Sequence, residues 1–146
     1  MAAHISPDEI RAEVEKFLSI LSGKSKERLE NLYSPAAIVF TGKARRSERG
    51  PLTAIRRMRQ VAGPDSTSNA EIDPIEIQIA GTDVAIASYT YRFHSNKKEK
   101  DGSRLVRKTL FGRSTQIFQR DDRGALKIVH EHLSSAAPPA VEKTKD

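Results

Sequence analysis

Residues 116–135, QIFQRDDRGALKIVHEHLSS, constrain the fold more than any other stretch of the chain. β-Branched residues fill both arms, and Asp121-Asp122-Arg123-Gly124 stands between them, so the stretch reads as a β-hairpin with a glycine-containing turn. Its second arm carries His130, Glu131 and His132 among Ile128, Val129 and Leu133, in a strand that should be buried. Polar side chains in such a strand are costly unless hydrogen-bonded, so these residues either line a pocket or join an internal network.

Upstream, helices separate from strands. Ser6-Pro7-Asp8-Glu9 is a helix start, with Ser as N-cap, Pro in the first turn and acids at the positive end of the helix dipole. Ile10, Val14, Phe17, Leu18 and Leu21 follow at helical spacing until Gly23. A second, short helix is expected from Ser25 to about Tyr33, stopped by Ser34-Pro35. Residues 37–41 read as a strand, residues 42–50 as a charged loop, and Gly50-Pro51 opens a third helix with Ala54, Ile55, Met58 and Val61 inside. Strands then dominate, at residues 70–80, 84–95, 105–119 and 125–134, with Pro74 marking a strand start, edge or bulge. Helices first and a meander of long strands afterwards predict an α+β fold, with helices packed on one face of an antiparallel sheet.

A chain of 146 residues has room for one hydrophobic core. Residues 1–136 are expected to form a single domain, and residues 137–146, polar and Pro-containing, a disordered tail. The absence of cysteine excludes disulfides and thiolate metal sites and fits a cytoplasmic protein. No apolar run approaches the roughly 18 residues of a membrane span, and the charged N-terminus does not read as a secretory signal. The net charge of +6 gathers at residues 43–59 and 96–108. Neither cluster interleaves aromatic residues, so a base-stacking platform is missing and nucleic acid is not expected as a partner; binding of an acidic partner through these loops is the weaker alternative.

In the strand from Val84, Ala85, Ala87, Tyr89, Tyr91 and Phe93 point one way, and Ser88, Thr90, Arg92 and His94 the other; in a monomeric sheet the aromatic face would be core and the polar face solvent. The hairpin strands carry apolar residues on both faces: Ile117, Leu126 and Ile128 on one, Phe118, Val129 and Leu133 on the other. A sheet apolar on both sides needs cover on both sides, and a second subunit is the simplest cover for the face the helices leave bare. A hairpin closing across Asp122 and Arg123 would set Gln116 opposite Val129, Ser114 opposite Glu131, Thr115 opposite His130 and Arg113 opposite His132.

The hairpin STQIFQRDDRG…KIVHEHLSS, the segment DPIEIQIAG at residues 73–81 and the order of elements from about residue 8 to 138 resemble the nuclear-transport-factor-2-like superfamily. The likeness is greatest to its SnoaL-like branch and to the association (hub) domain of calcium/calmodulin-dependent kinase II. The resemblance implies a cone-shaped α+β barrel, its curved sheet wrapped around the helices and a pocket inside, with a convex face that forms dimers or larger rings. By that analogy Tyr89, Tyr91 and Phe93 face a partner subunit. Tyr33, Ser88, Thr90, Arg92, Ser114 and Gln116, with Glu131, line the pocket. Where the kinase hub holds arginines on the closing hairpin, this chain has Gln116 and Leu133, so the hub's anionic ligands are not expected here. The pocket aspartates of ketosteroid isomerases and polyketide cyclases have no matched position.

Glu131 is the candidate acid or base, since an enclosed carboxyl has a raised pKa suited to proton transfer next to a carbonyl. Its alternative is a structural bond to Arg92 or Gln116. His130 and His132 share a face and could hold a metal with a third ligand, but no further His or Asp is spaced to supply one, so a structural role at the subunit interface is expected, with no metal and no cofactor. Phosphate loops, nucleophile elbows and metal-binding helix motifs are missing. The expected function is a pocket for a small, polar, carbonyl-containing molecule with isomerase or cyclase chemistry; the alternative is a non-catalytic, homo-oligomeric association module.

Overall fold

The computed structural model describes residues 4–21, 28–41, 48–49, 68–98 and 105–135. The expected third helix, the bulk of the basic stretch 43–59, the loop 99–104 and the tail lie outside the described residues.

Helix α1 spans Pro7–Leu21. Its start is a reciprocal capping box: the Ser6 backbone N–H donates to Glu9 Oε2 at 2.8 Å, and the Glu9 N–H donates to Ser6 Oγ at 3.2 Å. Ile10, Val14 and Phe17, three or four residues apart, form its buried stripe. The expected second helix shrinks to one 3₁₀ turn, Leu29–Leu32, and Tyr33 already belongs to the first strand.

Among the described residues seven strands follow: β1 Tyr33–Thr41, β2 Glu48–Arg49, β3 Ser68–Ile72, β4 Glu76–Ala80, β5 Val84–Lys98, β6 Leu105–Arg120 and β7 Leu126–Ser135. Their order in the sheet is β2-β1-β7-β6-β5-β3, with β4 also on β5. All pairs are antiparallel except β1 with β7, which run parallel, so the sheet is mixed where the sequence suggested an antiparallel one. It is curved and open, as in a cone-like α+β fold. The β1–β7 ladder loses its regular register between Tyr33 and Ile38. Pro35 lies there and has no N–H to donate, so the proline expected to stop a helix instead bulges a strand. Pro74 separates β3 from β4, which lie end to end along one edge of β5. At this break the Asp73 N–H donates to the Thr90 carbonyl at 3.1 Å, and the Thr90 hydroxyl donates to the Asp73 carboxylate.

The closing hairpin departs from the expected register in two steps. Its turn holds three residues, not two: Asp121 N–H donates to the Ala125 carbonyl at 2.8 Å, and Gly124 sits at φ +81°, a conformation that favours glycine. The Asp121 carboxylate accepts from the N–H groups of Arg123 and Ala125, both at 2.9 Å. The extra residue brings Phe118 opposite Ile128, exchanging the expected faces near the turn. A bulge at Val129 then adds a second residue, and from there Ile117 pairs with His130, Gln116 with Glu131, Thr115 with His132 and Ser114 with Leu133. Two slips of one residue restore the faces, so Gln116, Ser114 and Glu131 share a face as expected, with Gln116 directly opposite Glu131.

The core lies between α1 and the inner face of the sheet. It joins Ile10, Val14 and Phe17 to Leu32, Val39, Ala85, Ala87, Tyr89, Phe118 and Ile128.

Candidate functional site

Ser114, Gln116 and Glu131 are the buried polar residues of the described core. Strand pairing puts them together: Gln116 stands opposite Glu131 on one side and Ala87 on the other, and Ser114 stands between Leu133 and Tyr89. Val39 of β1 pairs with Glu131 across the parallel ladder. Glu131 and Gln116 have no exposed surface, and Ser114, Tyr33 and Tyr89 have 3–5%.

A continuous chain of hydrogen bonds joins these groups. Tyr33 Oη donates to Glu131 Oε1 at 2.7 Å, and Gln116 Nε2 donates to Glu131 Oε2 at 2.6 Å. Tyr89 Oη donates to Gln116 Oε1 at 3.0 Å. Both carboxylate oxygens therefore accept from neutral donors, at the short distances of charge-assisted bonds. Among the described residues Glu131 forms no ion pair. Burial pushes its pKa up to about 7, against the opposing pull of the Gln116 and Tyr33 bonds. Burial and the Glu131 charge hold the Tyr33 hydroxyl well above the ordinary phenol range. Tyr89 is raised by burial, with Ser114 opposing and Glu131 reinforcing the rise, although no group meets hydrogen-bond geometry at Ser114 Oγ. Tyr91 is raised by burial and then by Glu131. All three tyrosines of the chain thus sense one carboxylate.

Of the residues expected to line a pocket, Tyr33 and Gln116 bond to Glu131, and Ser114 lies on the same face between Leu133 and Tyr89. Ser88, Thr90 and Arg92 lie on the opposite face, and Tyr89 and Tyr91, expected on a subunit interface, lie on the inner one. The pairing of β5 with β6 decides this: Tyr89 pairs with Ser114 and Tyr91 with Gly112, so the aromatic stripe shares the face of Gln116 and Glu131. Tyr89 is part of the core beneath α1. The Phe93 side chain lies outside the described residues. An inward Arg92 would be a buried cation; outside, it stands 3.5 Å from Glu71 and 3.8 Å from Asp73. Of the two structural bonds weighed for Glu131, the one to Gln116 forms.

Gly112 is a residue that sequence reasoning missed. A methyl group built on it would lie 2.7 Å from Tyr91 Cε1 and closer still to Cζ and the hydroxyl, so the Tyr91 ring packs across a backbone that only glycine leaves bare. A glycine in mid-strand was the available signal.

On the outer face, His130 is half-buried and His132 exposed. Both rings lean on Phe40, with centroids 6.0 and 5.9 Å away. Among the described residues no cluster of three His, Asp or Glu side chains could hold a metal ion, and no helix is long and apolar enough to cross a membrane.

A family model described as a SnoaL-like domain matches residues 10–138. Solved structures share the fold. A nuclear transport factor 2-like superfamily protein from Salmonella enterica is 20% identical, with a TM-score of 0.67 over 94% of this chain and 96% of that one. The association domain of calcium/calmodulin-dependent kinase II from C. elegans is 16% identical, with a TM-score of 0.67 over 88% and 94%. A candidate ketosteroid isomerase from Parabacteroides distasonis is 16% identical, with a TM-score of 0.65 over 92% and 90%. No curated protein matches the sequence.

Proposed function

The chain belongs to the SnoaL-like domain family, and from that premise we propose that it binds a small, polar, carbonyl-containing molecule inside the cone and exchanges a proton with it through Glu131. The observation that carries this reading is the state of that carboxyl. It is wholly buried and held by two neutral donors, and burial pushes its pKa up to about 7, where a proton can be taken or given. Tyr33 holds one carboxylate oxygen and Gln116 the other, so the acid or base has a fixed orientation. In this reading a ligand enters beside Tyr91, which is half-buried on the same face, while Ser114 and Leu133 are buried at 3% and 8% exposure. The reaction class is isomerisation or cyclisation by proton transfer next to a carbonyl.

A panel of cyclic enones and hydroxy ketones, followed by thermal shift and by proton NMR in D₂O, tests it. At least one member should raise the melting temperature and exchange its α-proton in the presence of wild-type protein but not of Glu131→Gln. No stabilisation and no exchange across the panel would reject the reading.

A second reading, a homo-oligomeric association module, draws on the outer face. There Ile38, Phe40, Ile86, Phe111 and Ile117 are half-buried without a covering element among the described residues. Light scattering decides it: a dimer or larger assembly that Phe40→Lys dissociates supports it, and a wild-type monomer at high micromolar concentration ends it.

A further inference from the structure

The direction of the hydrogen bonds around Glu131 is set by one amide. Because both carboxylate oxygens accept, Gln116 must turn its NH₂ toward Glu131 and its oxygen toward Tyr89. The Tyr89 proton is thereby committed to Gln116. One buried group is left over: Ser114 Oγ, on the residue paired with Tyr89 and 3% exposed, has no hydrogen-bond partner. A buried hydroxyl without a partner is unfavourable and calls for an explanation.

We propose that Gln116 is a polarity relay: its amide turns over when Glu131 takes up a proton, and so sets whether Tyr89 offers a bound molecule a lone pair or a proton. In the protonated state Glu131 Oε2–H donates to Gln116 Oε1, and Gln116 Nε2 donates to Tyr89 Oη. The Tyr89 hydroxyl proton is released to Ser114 Oγ, or to a ligand oxygen that displaces it. Tyr33 keeps donating to Oε1 throughout. The only covalent change is one proton gained at Glu131 from solvent or ligand. Every polar side chain of the cluster has a partner in this state once Tyr89 and Ser114 close to the hydrogen-bond geometry that they do not meet in the structure.

The surroundings permit the change. The groups facing the carboxyl are Tyr33 and Val39 from β1, Tyr89 and Tyr91 from β5 and Gln116 from β6, while α1 packs on this core through apolar side chains, with Ile10, Val14 and Phe17 buried and Leu18, Ile20 and Leu21 partly buried. Among the described residues no cation pins Glu131 in its charged form, and its proton equilibrium lies near neutrality. For the ligand this inference rests on the pocket reading above, and it refines the chemistry. With Glu131 protonated, the interior donates and suits a carbonyl or enolate oxygen. With Glu131 ionised, it accepts and suits a hydroxyl or ammonium group.

NMR titration of the ligand-free protein from pH 5 to 9 tests the relay, observing Glu ¹³Cδ, Tyr ¹³Cζ and the Gln side-chain amides. Glu131, the Gln116 amide and Tyr89 should share one midpoint. Ser114→Ala removes the acceptor of the protonated state and should lower that midpoint by roughly half to one pH unit. In Gln116→Leu, Glu131 should still titrate while Tyr89 stops following. A Ser114→Ala midpoint that stays or rises, a Tyr89 signal that still tracks Glu131 in Gln116→Leu, or no Glu131 titration in this range would overturn it. Because the titration uses no ligand, its failure removes the relay alone. A failed carbonyl screen beside a coupled titration removes only the pocket.

Discussion

Tyr33 and Glu131, 98 positions apart in sequence, are joined by a 2.7 Å hydrogen bond from phenol to carboxylate. β1 is inserted beside β7, parallel to it, and this brings the first residue after the 3₁₀ turn under the last strand of the sheet. Loss of the Tyr33 hydroxyl should act on the ionised carboxyl above all. Tyr33→Phe is expected to lower stability by about 1.5–3 kcal/mol at pH 8.5, the range for bonds to charged groups, and by less at pH 5.5. The midpoint of Glu131 should rise, since its charged form has lost a donor. Urea melts at the two pH values check the first point and the Glu ¹³Cδ titration the second.

Removing the charge itself has the opposite sign. The Glu131 pKa stands at about 7 in the fold against an ordinary 4.5. A raised carboxyl leaves stability whole below pH 4.5 and lowers it as pH rises through 7. The full difference is of the order of 3 kcal/mol. Glu131→Gln escapes this loss, and its amide can donate to Gln116 as the protonated acid would. The variant should match wild type near pH 4.5 and exceed it progressively up to pH 8.5; parallel melting curves for the two proteins across that range would contradict the burial of an unpaired charge.

Gly112 and Tyr91 form a steric pair. Gly112→Ala should destabilise by about 1–3 kcal/mol, because the ring must leave its seat or the strand must shift. In a Tyr91→Ala background the same change should be neutral or slightly stabilising, since alanine is better than glycine in a strand by roughly 0.5–1 kcal/mol. A double-mutant cycle read from urea midpoints measures this coupling.

Arg120, at the end of β6, ties the hairpin to α1. Its Nη2 lies 3.0 and 3.1 Å from the two Glu9 oxygens, and its Nη1 donates to the Gly124 carbonyl at 3.2 Å. The Ser6 backbone bond, and then Arg120, hold the Glu9 pKa below its ordinary value. Such a group stabilises at neutral pH and ceases to as pH falls through its folded pKa. Glu9 is partly exposed, with 41% of its side chain accessible, so the pair is worth about 1 kcal/mol. Arg120→Met, which keeps the aliphatic packing, should lose that amount at pH 7 and much less at pH 3 by thermal melting, and Glu9→Gln should add little to it.

Local pattern alone was enough for much of this molecule. The helix start at Ser6, the Ile10–Val14–Phe17 stripe, three long strands, the hairpin and the family resemblance all follow from spacing and turn chemistry, which act over a few residues. So does the burial of Glu131 among apolar neighbours. What lay beyond the sequence was which surfaces meet. The inner position of Tyr89 and Tyr91 depends on how β5 registers against β6, and one residue of slip exchanges every side chain between core and solvent. A three-residue turn and the Val129 bulge moved the hairpin by two places, a change that local propensity does not encode. The partnership of Tyr33 with Glu131 required β1 to lie parallel to β7, a contact that chain folding closes over most of the protein's length. Short-range chemistry therefore determined what each segment is, and only long-range strand pairing decided which groups surround the buried carboxyl.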